Sequence, residues 1–428
     1  MNTNSAHTTL RSSAEVSTES RGCRFCNTPL EDVVVDLGMS PLCQSQIEKE
    51  ALNRAEVFYP LRAFVCRSCW LVQVHEHVSG EDIFSHYAYF SSFSDSWLEH
   101  CRSYCEYIIQ RLSLDRSSFV VEVAANDGYL LQNFVASRIP CLGVEPATNV
   151  AQKAMKKGVP VINEFFGEET AKNVVTLHGK ADLVIANNVL AHVPDLNDFV
   201  LGLSIVLAEG GTLTVEFPHL LNLIELNQFD TIYQEHYCYF SLLTLQKVFG
   251  AVGMRIYDVE TIPTHGGSLR IFVCHNGNEQ LETRKAVEQI RSREIDGGLT
   301  ELATYEAFAD RVRQLKWRLV EVLAGLKRDG KRICAYGAPG KGNTLLNYGG
   351  IREDLVAFTV DRNPFKQGSF LVGSRIPVYE PEVIKEYQPD YVLILPWNLK
   401  EEIMGQLSYI REWGGKFIVP VPQVEIVE

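Results

Sequence analysis

The stretch that decides the fold is FVVEVAANDGYLLQNF, residues 119–134. It begins with an apolar, β-branched run, passes through the small residues Ala124–Gly128, and continues into an apolar segment typical of a helix start. Strand, tight turn and helix in this order form the first unit of a doubly wound sheet, whose ligands bind at the carboxyl ends of the strands. The pattern therefore predicts an α/β domain with a ligand site at this turn.

Later strand ends carry residues that suit a nucleoside ligand. The strand 141–144 ends in Glu145, which can accept both ribose hydroxyls, and Phe165 with its neighbour can sandwich an adenine ring. This order of strand ends resembles the class I S-adenosylmethionine (SAM) methyltransferases, although Ala124 stands where that family usually has Gly. The alternative is an NAD or nucleotide domain, but the Gly-x-Gly-x-x-Gly fingerprint is absent. The predicted cofactor contacts are Glu122, Ala124, Asn126, Gly128, Tyr129, Glu145, Pro146, Phe165, Asn187 and Asn188.

Two Cys-x-x-Cys knuckles precede this domain, Cys23 with Cys26 and Cys66 with Cys69. Four thiolates match a tetrahedral zinc site, and four protein ligands leave no open position for catalysis. The alternative is four unrelated buried thiols, but two such pairs seldom occur by accident. The knuckles therefore predict a structural zinc ion.

The run Tyr233–Tyr237 follows the last strand that the pattern predicts in the ligand-binding domain. It places Glu235 beside His236, with phenols on either side. A neutral imidazole, with an ordinary pKa of about 6.5, is a competent base near neutral pH. Beside a methyl sulfonium, such a base indicates that a carbon acid is deprotonated and then methylated. The alternative is a structural histidine in an aromatic wall.

Three motifs in order, the knuckles, residues 86–97 and residues 230–241, closely resemble the zinc-containing sugar C-methyltransferases, among them the tetronitrose and mycarose 3-C-methyltransferases. The resemblance implies methylation at C3, sometimes C5, of a nucleotide-linked 4-keto-6-deoxyhexose, with dTDP as the expected nucleotide and antibiotic or surface-glycan biosynthesis as the setting. It also implies a base, a neighbouring acid and two active-site tyrosines, and these fall on His236, Glu235, Tyr233 and Tyr87. The family more often has His at the position of Gln234.

A second βαβ array follows, in which the strand 332–336 leads into GAPGKGN, residues 337–343. Gly-rich backbone with Lys341 at a helix N-terminus can cradle a pyrophosphate. The resemblance implies that this domain is the platform for the nucleotide-sugar. The alternatives are NAD with Asp361 on its ribose, for which the glycine spacing is wrong, and a docking domain with an unused loop. The predicted substrate contacts are Arg270, Tyr336, Gly337, Lys341, Asn343 and Asp361.

Length and charge limit the remaining possibilities. The chain of 428 residues is too long for one ordinary core, and its net charge of -13 argues against a nucleic-acid surface. The odd number of cysteines, 11, and the absence of a signal-like segment predict a cytoplasmic protein, and no stretch approaches the length of a membrane span. A monomer or homodimer is expected. The expected divisions are 1–20, a disordered tail; 21–80, a zinc-binding domain; 81–262, a SAM-binding domain; and 263–428, a nucleotide-sugar domain.

We therefore expect an α/β fold in which a small zinc-binding N-terminal domain precedes two Rossmann-like, doubly wound domains. The expected cofactors are SAM and structural zinc. Two rival hypotheses remain, a SAM methyltransferase acting on another carbon, oxygen or nitrogen of a natural product, and a zinc-containing scaffold without activity. Only the carbon-acid mechanism predicts exchange of the substrate C3 hydrogen with solvent.

Overall fold

A computed structural model describes residues 22–80 and 95–428. The predicted tail and Tyr87 lie outside the described residues. The expected fold class is confirmed, since a small N-terminal sheet precedes two larger, mostly parallel sheets.

The N-terminal domain is built on an antiparallel sheet beside the knuckles. The sheet contains β1 (Asp32–Ser40), β3 (Tyr59–Val65) and β4 (Val72–Val74). The short strand β2 (Gln46–Ile47) lies outside this sheet, and a 3-10 turn follows it at Lys49–Ala51. β3 pairs with both β1 and β4, and its residues Leu61 and Ala63 alternate with more exposed positions, so that one face of the sheet is buried.

The middle domain consists of a seven-stranded sheet covered by helices. Its elements in chain order are α1 (Asp95–Leu112), β5 (Val120–Val123), α2 (Gln132–Ala136), β6 (Cys141–Val144), α3 (Thr148–Lys156), β7 (Val161–Ile162), α4 (Glu168–His178), β8 (Ala181–Asn187), α5 (Leu196–Val206), β9 (Leu207–Pro218), α6 (Leu220–Glu225), β10 (Cys238–Tyr239), α7 (Leu242–Ala251), β11 (Met254–Ile262) and β12 (Ser268–His275). Short 3-10 turns lie at Leu190–His192, Phe229–Thr231 and Thr264–Gly266.

The strand order in this sheet is β7-β6-β5-β8-β9-β12-β11. The five strands from β7 to β9 are parallel, whereas β12 runs antiparallel to both of its neighbours. The boundary expected at residue 262 therefore falls between two strands that pair with each other. β12 is buried along almost its whole length, because it lies between β9 and β11 inside the sheet.

The predicted catalytic run leaves the middle domain and enters the N-terminal one. β10, which begins directly after Tyr237, pairs antiparallel with β4 and adds a fourth strand to the N-terminal sheet. The chain then returns to the middle domain at α7. The run 233–237 is thus fixed at the junction of two domains.

The C-terminal domain begins with two helices and continues into a six-stranded sheet. Its elements are α8 (Lys285–Asp296), α9 (Leu302–Arg328), β13 (Ile333–Tyr336), α10 (Gly340–Gly349), β14 (Thr359–Val360), β15 (Phe370–Leu371), β16 (Val378–Tyr379), α11 (Val383–Tyr387), β17 (Tyr391–Ile394), α12 (Lys400–Gln406), β18 (Lys416–Val419) and β19 (Glu425–Val427), with 3-10 turns at Trp397–Leu399 and Ser408–Trp413.

The order β16-β14-β13-β17-β18-β19 is that of a Rossmann sheet, with only β19 antiparallel. Outside this sheet, β15 pairs with β2 of the N-terminal domain. One apolar core joins the two domains, because Phe308 and Leu319 of α9 pack in the same cluster as Leu61 of β3. Among the described residues, no helix combines the length and apolar character needed to cross a membrane.

Candidate active site

A cavity of about 630 Å³ lies where the three domains meet. Its walls come from the carboxyl ends of β5, β6 and β8, from the run around His236, and from the first residues of α10. The structure thus brings most of the predicted cofactor and catalytic residues to one space. The predicted residues that line it are Ala124, Asn126, Tyr129, Glu145, Pro146, Phe165, Asn187, Asn188, Tyr233, His236 and Lys341.

The turn after β5 presents backbone donors to Glu145. Ala124 and Asn126 both adopt left-handed backbone, with φ of 58° and 48°. The amide of Asn126 donates to Oε2 of Glu145 at 2.9 Å, and the amide of Ala147 donates to Oε1 at 2.9 Å. Each carboxylate oxygen keeps a lone pair, which suits two ribose hydroxyls. Burial raises the pKa of Glu145, and these two backbone bonds oppose that effect.

The next strand end carries buried polar atoms that lack partners. Oδ1 of Asn187 and Nδ2 of Asn188 are both buried without a hydrogen bond, although both residues line the cavity. Buried polar atoms in proteins are nearly always paired, so such a wall is suited to a ligand. Phe165 is 48% exposed and faces the cavity, whereas Phe166, a wall residue too, packs edge-on against Phe199 at 5.3 Å. Together with Glu145, these groups fit the adenosine part of SAM.

Two predicted cofactor residues do not line the cavity. Glu122 is buried in β5, where burial, followed by the charges of Glu145 and Asp127, raises its pKa well above the ordinary value. A side chain at Gly128, where φ is 73°, would meet Cβ of Ala154 at 3.0 Å, so this glycine permits close packing on α3.

His236 is held between a carbonyl and a phenol. Its Nδ1 lies 2.9 Å from the carbonyl oxygen of Thr231, which can only accept, so Nδ1 carries the proton. Nε2 then has a lone pair, and the hydroxyl of Tyr233 donates to it at 2.9 Å. Burial lowers the pKa of His236 well below its ordinary value, and the neighbouring His192 lowers it further. The ring is therefore neutral at physiological pH.

The side chain of Glu235 does not hydrogen-bond to His236, although the two residues are adjacent in the chain. Its carboxylate accepts a backbone N–H from Gln44, and its Oε2 is buried without a partner. Burial raises the pKa of Glu235 to about 8, so the acid is mostly protonated at neutral pH. The two side chains separate because they are consecutive in a turn, closed by the bond from the His236 amide to the Tyr233 carbonyl. The backbone carbonyl of Glu235 instead accepts from Nδ1 of His192 at 2.8 Å.

Lys341, at the start of α10, lies at the other side of the cavity. Its Nζ donates to Oδ1 of Asn398 at 2.5 Å and lies 4.5 Å from the ring centroid of Trp397. Burial lowers the pKa of Lys341 to about 8, while the charge of Asp230 opposes this effect.

Other predicted substrate residues of this domain lie outside the cavity walls. Asn343 is buried and donates to the carbonyl oxygen of Cys43 at 2.6 Å, which ties α10 to the N-terminal domain. The hydroxyl of Tyr336 donates to Oε1 of Gln406 at 3.1 Å. Both side chains thus have protein partners.

Gly337 and Asp361 shape the loop after β13. Gly337 has a φ of 88°, and a side chain there would meet Pro396 at 2.6 Å. Asp361 accepts the amide of Ala338 at 2.7 Å and that of Asn363 at 2.8 Å. This arrangement repeats the one at Glu145, with an acid at the end of the second strand bonded to the loop after the first.

Arg270 lies in β12 of the middle domain. Its guanidinium pairs with Glu216 at 3.0 Å and Glu260 at 3.5 Å, and it covers the ring of Tyr104 at 4.5 Å. It does not line the cavity, because these partners hold it between β12 and α1.

Several wall residues had only a weak sequence signal or none. His192 ends the segment after β8, and His265 lies in a Gly-rich turn, where it has a left-handed φ of 54°. Trp97 of α1 contacts His265 edge-on at 5.3 Å. Gln44 reaches the cavity from the N-terminal domain, and nothing in its local sequence indicates this.

The four knuckle thiols gather into one cluster. The sulfur atoms of Cys23, Cys26, Cys66 and Cys69 all lie within 4.8 Å of one another. Tetrahedral zinc with Zn–S bonds of about 2.3 Å requires sulfurs about 3.8 Å apart, so the cluster fits the metal. Gln73 also donates to the sulfur of Cys23 at 3.2 Å, as a residue outside the ligand set often does.

The comparisons with known proteins match three successive segments of the chain, the last of which begins before β12. Residues 23–84 match a family model described as a zinc binding domain, residues 97–259 one described as a methyltransferase domain, and residues 263–422 one described as a C-methyltransferase C-terminal domain. The C-methyltransferase NovU of Streptomyces niveus is 36% identical over 405 residues, covering 95% of this chain and 96% of that protein.

Among solved structures, magnesium protoporphyrin IX methyltransferase (ChlM) from Synechocystis with bound SAH is 16% identical, with a TM-score of 0.34, over 42% of this chain and 83% of that one. A SAM-dependent methyltransferase from Clostridium acetobutylicum is 10% identical, with a TM-score of 0.34, over 44% and 94%. NovU and the three matched models identify the family, with SAM as cofactor and zinc as structural metal: the chain belongs to the zinc-containing, SAM-dependent C-methyltransferases.

Proposed function

We propose that this enzyme methylates C3 of a dTDP-linked 4-keto-6-deoxyhexose through an enolate. The observation that carries the proposal is the position of His236, a neutral imidazole that lines the same cavity as the SAM-binding turn and whose Nε2 accepts a hydrogen bond from Tyr233. A base is needed when the acceptor is a carbon acid, since its C–H bond must break before the carbon can attack.

The reaction follows from this placement. Once the Tyr233 hydroxyl turns away from Nε2, His236 takes the C3 proton there, and the electron pair of the C–H bond moves into an enolate with its charge on O4. The enolate carbon then forms a bond to the methyl group. When bound, SAM would supply this methyl group from its sulfonium and would depart as a neutral thioether, so that the electrons balance. The carboxylate of Glu145, bonded to the turn after β5, would hold the ribose of SAM.

For the nucleotide we propose the C-terminal domain. The ten-residue helix α10 begins at Gly340, so its first amides are available to a diphosphate. Asp361, which repeats the bonding of Glu145, is proposed to receive the sugar of the nucleoside. The printed name of NovU supports the reaction type and leaves the acceptor to experiment.

The proposal is tested by incubating the enzyme in D2O with dTDP-4-keto-6-deoxyhexoses and without SAM. We expect deuterium at C3, measured by NMR, and loss of that signal by about 100-fold or more in His236→Asn. Methylation of an oxygen or nitrogen acceptor, with no exchange in any keto sugar, would instead establish the heteroatom alternative.

A further inference from the structure

The ammonium group of Lys341 lines the cavity, but its surroundings differ from those of a lysine that binds phosphate. Among the described residues that line it, Lys341 is the only Lys or Arg. It shares the cavity with His236 and His265, and its charge contributes to lowering the pKa of both histidines. The ammonium therefore acts on the same small volume as the base.

Lys341 is positioned by a series of contacts that begins shortly before His236 in the chain, at Asp230. The indole Nε1 of Trp397 donates to Oδ2 of Asp230 at 2.7 Å, and Lys341 lies over the same indole. Asp230 is fully buried, and its Oδ1 has no hydrogen-bond partner. The next residue, Thr231, supplies the carbonyl that fixes the tautomer of His236. Two consecutive residues thus help to position the base and the cation.

A second neighbour of the Trp397 indole is the turn at Thr264–Gly266. A side chain built at Gly266 would meet Cη2 of Trp397 at 2.8 Å, so the turn that carries His265 packs closely on this ring. Lys341 has three donors, of which Asn398 takes one at 2.5 Å. This leaves ammonium donors for an acceptor in the cavity that His236 also lines.

We propose that Lys341 is a catalytic residue that donates a hydrogen bond to O4 of the sugar as the enolate forms, and that Asp230 and Trp397 are its positioning residues. The inference rests on the proposed function and changes the role first expected for Lys341, which was to bind pyrophosphate. As the C3–H bond breaks, its electron pair reaches O4, and the ammonium keeps its proton while it stabilises this oxygen. When the carbon–methyl bond forms, the carbonyl returns.

The decisive variant is Lys341→Met, which keeps the length of the side chain and removes the charge. Two quantities are measured, C3 exchange at saturating nucleotide-sugar and the Kd of dTDP, which lacks the sugar. We expect exchange to fall about 100- to 1000-fold, the usual effect of losing one oxyanion donor, while the Kd of dTDP stays within about 2-fold. Lys285→Met, at the exposed start of α8, is the matched control and should change neither.

A weaker dTDP complex with unchanged exchange at saturation would overturn the inference and return Lys341 to phosphate binding. Absence of exchange in the wild-type enzyme would instead remove the proposed function itself, so the two failures are distinct. Zinc content and thermal unfolding of each variant confirm that it has folded.

Asp230→Asn tests the positioning role through the pH profile of exchange. Catalysis needs the protonated Lys341, so the rate should decline as pH rises through about 8. The negative charge of Asp230 raises the pKa of Lys341, and its loss should move this decline to lower pH. An unshifted profile would show that Asp230 is only structural.

Discussion

Replacement of Glu235 by Gln should stabilise the protein, by an amount that grows with pH. Glu235 is 3% exposed, and burial raises its pKa from an ordinary 4.5 to about 8. A carboxyl whose pKa is raised in the folded state contributes stability below pH 4.5, which is lost as pH rises through 8. The amide side chain of the Glu235→Gln variant would mimic the protonated acid at every pH. It keeps an oxygen for the backbone N–H of Gln44.

The size of the effect follows from the pKa difference. For each pH unit above 4.5, the free energy of unfolding of the wild type falls by about 1.4 kcal/mol relative to that of the variant, until the carboxyl ionises near pH 8. The gain in free energy of unfolding should therefore be near zero at pH 4.5 and about 3 kcal/mol at pH 7. Above pH 8 the gain should level off, because the carboxyl is then ionised in both the folded and the unfolded state.

The assay is urea unfolding at pH 5, 6, 7 and 8, followed by tryptophan fluorescence. Glu279→Gln, on an exposed loop position, is the control and should show no such trend. A gain that is equal at all pH values, or a loss at pH 7, would refute the reasoning, because Glu235 would then be ionised in the folded protein. Turnover should change only a few-fold, since a neutral amide replaces a neutral acid.

Three further predictions concern the cofactor, the base and the metal. Glu145→Ala should weaken SAM binding by about 10- to 100-fold, the value of hydrogen bonds to a charged group, as calorimetry would measure; unchanged affinity would place the ribose elsewhere. Tyr233→Phe should change C3 exchange less than about 10-fold, because Nε2 of His236 keeps its lone pair; a loss equal to that of His236→Asn would show that the hydroxyl relays the proton. Cys66→Ser should lower zinc content, measured by metal analysis, and thermal stability more than it lowers the turnover of the folded fraction, because the metal site is closed; full zinc occupancy would contradict the four-thiolate assignment.

The sequence was sufficient for the features that depend on local pattern. The strand and turn at 119–128 predicted the cavity wall, because strand period and small residues determine that unit almost alone. The knuckles likewise predicted the sulfur cluster at Cys23 and its partners. The predicted roles of His236 and Lys341 remain predictions, although the structure brings both residues to one cavity.

Features that depend on contacts between distant parts of the chain could not be predicted from the sequence. β12 reads as an ordinary strand, and only its pairing with β9 shows that it belongs to the middle sheet. The carboxylate of Glu235 accepts its hydrogen bond from Gln44 of the N-terminal domain rather than from His236, and Gln44 is distant in the sequence. Adjacency in sequence suggested a Glu235–His236 pair, whereas the turn geometry sends the two side chains apart.

The pairing of β15 with β2, together with the bond from Asn343 to Cys43, has a consequence for recombination between family members. A chimera that imports a foreign C-terminal domain would set a new Phe370–Leu371 strand against the resident Gln46–Ile47. The natural unit of exchange is therefore discontinuous, made of the first and last portions of the chain. Under the proposed function, grafting both portions around an unchanged SAM domain should transfer acceptor preference with fewer folding failures than grafting either alone.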